Sequence, residues 1–388
     1  MKNNISDFLH CANCGACYNV CPRDAISVKN DFFYKLTVDE EKCINCGRCV
    51  EVCPVNQPRS EQKLYRAYAG IHADEAIVGQ SSSGGAFSAF AEEIMRRGGV
   101  VFAAAFDQEH VVRFFSSDDV SLDSLRRSKY VESLVGESFR AVKKELEGGR
   151  EVLFCGAPCQ VAGLKRYLGK EYEGLLTLDF SCGGMPSHVL FSNYLRLVEK
   201  QLRSPVTSIN FRPKLYGWER HAIRITGANG KKYRKMASAD PYFSAFIGKR
   251  YIVRDYCHEC DFSNNHYADI ILADFWLYRK ASHISHDDKG LSLVITNSPK
   301  GDAMLDSVRQ SFPTTLLDLS LAAYNIKEKH VSEDFWAKRA IALAEYQTEA
   351  ITKVSSRYGM KSQVGLKARY YCHCILQKVR NICHRLGV

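Results

Sequence analysis

Two stretches near the start of the chain, CANCGACYNVCP at 11–22 and CINCGRCVEVCP at 43–54, repeat one pattern at an offset of 32 residues. Each reads C-x2-C-x2-C-x3-C-P, a spacing in which three neighbouring thiolates grip one iron-sulfur cubane and the fourth crosses to the other. The crossing predicts one 4Fe-4S cluster on Cys11, Cys14, Cys17 and Cys53, and a second on Cys43, Cys46, Cys49 and Cys21. Gly15 and Gly47 give the backbone freedom to fold around sulfur, and Pro22 and Pro54 turn the chain after the last ligand. Zinc knuckles also use CxxC hooks, but a tetrahedral ion takes four thiolates, not eight in a doubled pattern. Cubane iron cycles one electron at a time, so this segment is expected to relay electrons without transforming a substrate.

Residues 1–57 therefore resemble bacterial two-cluster ferredoxins, and something downstream must use the electrons. Beyond them, VLFCGAPC and LLTLDFSCGG each end a predicted strand in a cysteine, at the edge of an open α/β sheet where ligands bind. YCHECDF adds a further CxxC hook in a polar loop. Cys159, Cys182, Cys257 and Cys260 together suit a third 4Fe-4S cluster, with zinc at the same four residues as the alternative. Cys155 falls inside the first of these strands and reads as a small buried hydrophobe. Ser81, Ser82, Ser83, Gly84 and Gly85 stand just before a predicted helix, where hydroxyls and free N–H groups suit an anion such as a flavin phosphate. An ordinary N-cap uses the same letters.

These residues need elements to hold them. The polar segment VNQPRSEQK after Pro54 reads as a linker. SSSGGAFSAFAEEIMRRGG is a helix marked at both ends, followed by the buried strand VVFAAAF. Residues 151–168 read as a strand, a Gly-Ala-Pro turn and a helix from near Cys159; LLTLDF is a second strand, followed by a helix from about His188 to Leu202; ADIILADFW contains a third strand. A helical pattern recurs from Glu333 to Glu349. The expected fold is an α+β ferredoxin-like two-cluster module followed by an α/β body with a mixed sheet.

A chain of 388 residues has room for several cores. Its start lacks the apolar core of a secretory signal, and its longest apolar run, around Val100 to Phe106, is too short to span a bilayer, so a cytoplasmic location is expected. Sixteen cysteines in a reducing compartment point to metal ligation in preference to disulfides. The net charge is +10, yet residues 1–60 hold seven Lys+Arg and seven Asp+Glu, so the excess lies in the body. A basic body favours anionic partners, although no nucleic-acid-binding motif accompanies it.

From about 66 to 300 the chain resembles the beta subunit family of coenzyme F420 hydrogenase and dehydrogenase. The resemblance rests on SSSGGAFSAF, SKYVES at 128–133, VLFCGAPCQVAGL, DFSCGGMPSH, NFRPKLYGW, CHEC, ADFW and KGLSLVITNSPKG. It implies FAD beside iron-sulfur centres and exchange between one-electron carriers and a two-electron acceptor. Carried over residue by residue, it implies a flavin pocket from Ser82, Ser83, Gly84, Gly85, Ser128, Lys129, Tyr130, Gly156 and Pro158, with Lys129 facing a phosphate or the flavin ring. It also divides the body into a flavin-binding part, 65–145, and a part with the third cluster, 146–345, before a basic helical tail, 346–388. Departures at Ser82-Ser83 and at Ala273 turn the expectation away from a deazaflavin acceptor.

The tail's Cys372, His373, Cys374, Cys383 and His384 lack a second CxxC hook and read as a chance grouping on a surface helix, with peripheral membrane contact a minor alternative. The function expected is an iron-sulfur flavoprotein oxidoreductase. A ferredoxin-like or dehydrogenase protein would supply or accept its single electrons, and a small molecule would accept the pair. The rival expectations are a non-catalytic electron-transfer subunit of a larger complex and a nucleic-acid factor.

Overall fold

The computed structural model describes residues 3–7, 10–56, 66–281, 284, 287–322, 325 and 330–360. The tail cysteines and histidines, from Cys372 to His384, lie outside the described residues.

In the first module each cysteine run wraps before a short helix, α1 (Ala16–Val20) and α2 (Arg48–Glu51). The wrap needs left-handed backbone at two positions in each copy, Asn13 and Gly15 in the first (φ 55° and 86°), Asn45 and Gly47 in the second (φ 54° and 76°). Glycine carries no Cβ penalty there, and asparagine is among the few other residues that tolerate the region. Between the runs, β1 (Ile26–Asn30) and β2 (Tyr34–Val38) form an antiparallel hairpin.

The body is built on one eight-stranded sheet of β3 (Arg66–Gly70), β4 (Val100–Phe106), β5 (Val112–Ser116), β6 (Val152–Cys155), β7 (Leu175–Phe180) and three strands later in the chain. A separate antiparallel sheet intervenes in the chain: β8 (Val206–Asn210), β9 (Ala222–Gly227) and β10 (Lys232–Met236). The last three strands of the large sheet are β11 (Ile270–Asp274), β12 (Ser292–Thr296) and β13 (Thr314–Leu317). Their order across the sheet is β13-β3-β12-β11-β7-β6-β4-β5. The inner four, β11, β7, β6 and β4, run parallel, and the flanking pairs are antiparallel, so the expected mixed sheet is present. The boundary expected at 145/146 falls within this sheet, which takes strands from both sides of it.

Successive side chains alternate between the two faces of the inner strands. Val101, Leu153, Leu176 and Leu178 meet Phe90 and Ile94 of one helix, Ala86–Arg96. Val100, Phe102, Val152 and Phe154 meet α3 (Ser138–Glu147), α4 (Pro158–Leu168) and α5 (His188–Leu202) on the other face. That second core runs on without interruption into the first module through Ala12, Cys14, Ala16, Cys17, Cys49 and Val52.

One carboxylate fastens the seam. Glu132 has no exposed surface; its Oε1 accepts from Tyr34 N of β2 (3.1 Å) and lies 2.6 Å from His188 Nδ1, while its Oε2 accepts from Arg254 Nη2 (2.8 Å). The Tyr34 and His188 rings stack at 3.7 Å, and Arg254 also donates to the Tyr34 carbonyl. Elsewhere on the seam Arg140 donates to Asn19 O (2.9 Å) and Asp24 Oδ1 (2.6 Å), and Asn19 Nδ2 to Gly136 O (2.8 Å). Removing one partner of a buried pair leaves the other charge uncompensated. Glu132→Ala should therefore cost about 3–5 kcal/mol in anaerobic urea unfolding, and Glu132→Gln, which keeps the shape and an acceptor, should cost less.

Candidate functional site

Cysteines from the two runs of the first module act on one another across the chain. Burial pushes the Cys14 thiol up, and Cys11 and Cys53 add to it. Cys49 is raised by burial and then feels Cys46 and Cys21. Cys17 feels Cys14, Cys11 and Cys53 and, last, Cys49 of the other set, so the two sets are neighbours. Backbone amides aim at the sulfurs: Asn13 N at Cys11 (3.3 Å) and Ala25 N at Cys21 (3.3 Å). Buried thiols raised in this way stay protonated unless a metal core supplies the compensating charge, which is the chemistry of an iron-sulfur ligand set.

The body's four cysteines also converge. Cys159, the second residue of α4, is raised by burial and then by Cys260, Cys182, Cys14 and Cys257. Cys182 follows β7, and its Sγ accepts from Gly184 N (3.3 Å). Cys257 lies in a 3-10 turn, Asp255–His258, with Cys260 just beyond. Among the described residues no three Cys, His, Asp or Glu side chains close on a single ion-sized point. The eight module cysteines share that spread.

Helix α4 couples this set to the module. Residues four apart on a helix share a face, so Gly163 stands one turn beyond Cys159. A Cβ on Gly163 would lie 3.0 Å from Cys14 Sγ, and Cys159 Sγ lies 3.9 Å from Ala12 O. The helix therefore presents one thiol to the body's set and, one turn later, bare backbone to a thiol of the module.

Beside Cys182 a cleft of about 330 Å³, partly open to solvent, lies at the carboxyl ends of the parallel strands. Ala103 and Ala104 of β4, Cys155 of β6, Phe180 of β7 and Asp274 of β11 line it, together with Cys182. This is the edge at which open α/β sheets bind ligands.

Of the residues expected to hold flavin, Ser82, Ser83, Gly85, Ser128, Lys129, Tyr130 and Gly156 line the cleft; Gly84 and Pro158 do not. Gly84 is pressed against the sheet, its N–H on Ser292 Oγ (3.0 Å), and a Cβ there would lie 2.5 Å from Gly70 O. Pro158 is buried at the first position of α4, where its fixed φ suits a helix start. Ser82 Oγ accepts from Ser128 N (2.9 Å) and so ties the serine loop to the 128–133 segment. Gly85, at φ 94°, begins the helix Ala86–Arg96 with no side-chain cap.

Lys129 differs from the expectation. Its ammonium donates to Ser124 O (2.9 Å), Leu125 O (2.9 Å) and Arg126 O (2.6 Å), the carbonyl end of the turn Leu122–Leu125. All three of its protons are spent on backbone, so its first role here is a helix C-cap. Burial lowers it to about 7, and Cys155 opposes that. The three carbonyls also favour the charged form. Burial raises the Cys155 thiol to about 12, and the side chain packs against the sheet core as a small hydrophobe while one side of it lines the cleft.

Sequence reading missed the rim. Arg212 Nη1 donates to Asp274 Oδ2 (2.9 Å) and Trp218 Nε1 to Asp274 Oδ1 (2.8 Å), while Trp218 stacks on Trp276 at 4.6 Å. Burial disfavours the Asp274 charge, but Arg212, Trp218 and Ser83 outweigh it and hold the carboxyl below its usual range. The signal was available, because NFRPKLYGW and ADFW supply all four residues. It gave no cue that the two motifs meet.

Residues 149–318 match the family described as coenzyme F420 hydrogenase/dehydrogenase, C terminus of the beta subunit, and residues 10–57 match the 4Fe-4S dicluster domain. No curated protein matches the chain in sequence. Among solved structures, a chain of the F420-reducing NiFe hydrogenase complex from Methanosarcina barkeri is 17% identical, with a TM-score of 0.45, over 79% of this chain and 99% of that one.

The contact at α4 yields a direct test. Gly163→Val places a branched side chain against Cys14 Sγ, and the expected result is loss of one cluster, about 4 iron atoms per chain, with unchanged far-ultraviolet circular dichroism. Full iron content in that variant would contradict the close approach.

Proposed function

For a chain that joins a 4Fe-4S dicluster domain to the C-terminal region of a coenzyme F420 hydrogenase/dehydrogenase beta subunit, we propose an iron-sulfur flavoprotein reductase, working in a reducing compartment such as the cytoplasm. The observation that carries the proposal is the continuity of the thiol sets. The Cys43 set neighbours the Cys11 set, α4 joins the Cys11 set to Cys159, and Cys182 stands in the cleft wall.

When bound, the clusters supply one-electron steps, and a flavin supplies the exchange between single electrons and a pair. The chain's own residues do the placing. Cys46 is exposed and the neighbouring Ile44 is 60% exposed, so the second module set is where a protein electron donor docks. Cys159, Cys182, Cys257 and Cys260 hold a third 4Fe-4S cluster between the module and the cleft. The donor set fits: four buried or half-buried thiols whose charges act on one another.

The cleft fits a flavin nucleotide in two respects. The uncapped start of the helix at Gly85 offers N–H groups to a phosphate, with Arg126 and Arg127 beside it. Phe180, 40% exposed at the end of β7, offers an aromatic face next to Cys182. Lys129 holds the turn that carries Arg126 and Arg127, and the Arg212–Asp274–Trp218 group fixes the wall at which a small two-electron acceptor would sit.

Protein purified anaerobically should carry about 12 iron atoms and one flavin per chain, and chelation of the iron should abolish flavin reduction by dithionite-reduced ferredoxin. Four irons or fewer, or no isoalloxazine released on denaturation, would overturn the proposal. Oxidation of the reduced protein by a partner enzyme and by no small molecule would leave it an electron-transfer subunit.

A further inference from the structure

The third thiol set lies among arginines, one of which, Arg254, also acts on Cys11 of the first set. Three arginines surround it, from two separate segments of chain. Arg250 donates to the carbonyl of Gly183, next to Cys182. A Cβ built on Gly184 would lie 3.2 Å from Arg250 Nη2 and 3.2 Å from Cys257 Cβ, so guanidinium and cysteine rest against the same glycine. Arg254 accepts Cys257 N at its carbonyl (3.0 Å), and its side chain reaches back to Glu132. Arg339, from the helix Glu333–Thr348, donates to Val253 O (2.7 Å) and pairs with Asp255 (2.6 Å).

Arg254 and Arg339 are 8% and 4% exposed, so their charges act through protein and not through bulk water. In all three arginines the Nε–H is buried without an acceptor among the described residues. An orphaned buried donor is costly, and sulfur of a neighbouring cluster is an acceptor that would satisfy it. Glu132 and Asp255 offset two of the three positive charges. Among the described residues Arg250 has no carboxylate partner, and burial opposes its charge while Cys182, Cys257 and Cys260 favour it.

Resting on the third-cluster reading above, we infer that Arg250, backed by Arg254 and Arg339, makes this cluster the highest in reduction potential of the three, so that electrons collect beside the cleft. Reduction adds one electron to a site that already holds four thiolates. A positive charge beside the cluster stabilises the reduced form over the oxidised one, as would any N–H donating to its sulfur, because cluster potentials follow net charge and hydrogen bonds to sulfur. The electron comes from the module and leaves to the two-electron acceptor, so the collar alters the equilibrium and takes no part in bond making. These arginines are positioning residues; none is a ligand.

The test is a potentiometric titration of the anaerobic holoprotein followed by electron paramagnetic resonance. In the wild-type protein the third cluster should titrate at the highest midpoint. Arg250→Gln should lower that midpoint by the equivalent of tenfold or more in its reduction equilibrium, 59 mV for one electron, and leave the two module clusters unmoved at full iron content. Arg250→Lys should restore most of the shift. A wild-type third cluster with the lowest midpoint, an unmoved midpoint in Arg250→Gln, or an equal fall in all three clusters would each overturn the inference while leaving the third cluster in place. Eight irons and two signals in the wild-type protein would instead remove the third-cluster reading, and the inference with it.

Discussion

A carboxylate sealed from water has to be matched by donors or the fold around it fails, and Glu132 sits where that demand joins three parts of the chain. Its oxygens are satisfied by the backbone of β2 in the module, by His188 at the head of α5, and by Arg254 three residues before Cys257. The contacts that seat the module on the body thus also set the loop that carries the Cys257–Cys260 hook. Both thiol sets are registered to one ionic knot, and their spacing does not rest on surface contacts that water could loosen.

Much of the scaffold was legible in the sequence because it rests on local pattern. The strand at Val152–Cys155, the helix from Pro158, the strand at Leu175–Phe180 and the helix at His188–Leu202 all follow from apolar periodicity bounded by turn residues. Spacing alone encodes the crossing proposed for the cysteine sets. What was hidden depends on partners far apart in the chain. Strand β3 lies between β12 and β13, whose residues are more than 200 positions away, and nothing in RAYAG announces them. Glu132 is a lone acid in SKYVES, with no periodicity to mark it as buried. Asn13 and Asn45 repeat at the same offset as the cysteines; the repeat was visible, but the left-handed backbone that requires them was not.

Charge was the least faithful guide. The body's positive excess reads naturally as a solvated face, yet Arg212 and Arg254 are nearly covered and spend their charge inside, on Asp274 and Glu132, and the buried Arg339 reaches out to the exposed Asp255. Lys129 makes the same point on a smaller scale. A conspicuous cation beside a cleft invites a phosphate, but a lysine just past a helical turn can reach the turn's own carbonyls without closing a long loop, at the cost of its own rotamer freedom, and here it does.

The unbroken core shared by the module and the body bears on how such a chain can be recombined. Small ferredoxins are often pictured as plug-in parts, exchangeable between enzymes by gene fusion. Here Ala12, Cys14 and Ala16 are body-facing core residues as much as ferredoxin residues, and Gly163 on the body is shaped to a sulfur of its neighbour. A foreign ferredoxin grafted at residue 57 would bring its own face to that surface, with lysines or glutamates where Ala12 and Ala16 now stand. The graft would expose apolar surface on one side and bury charge on the other, so this pair of modules has to evolve as one unit.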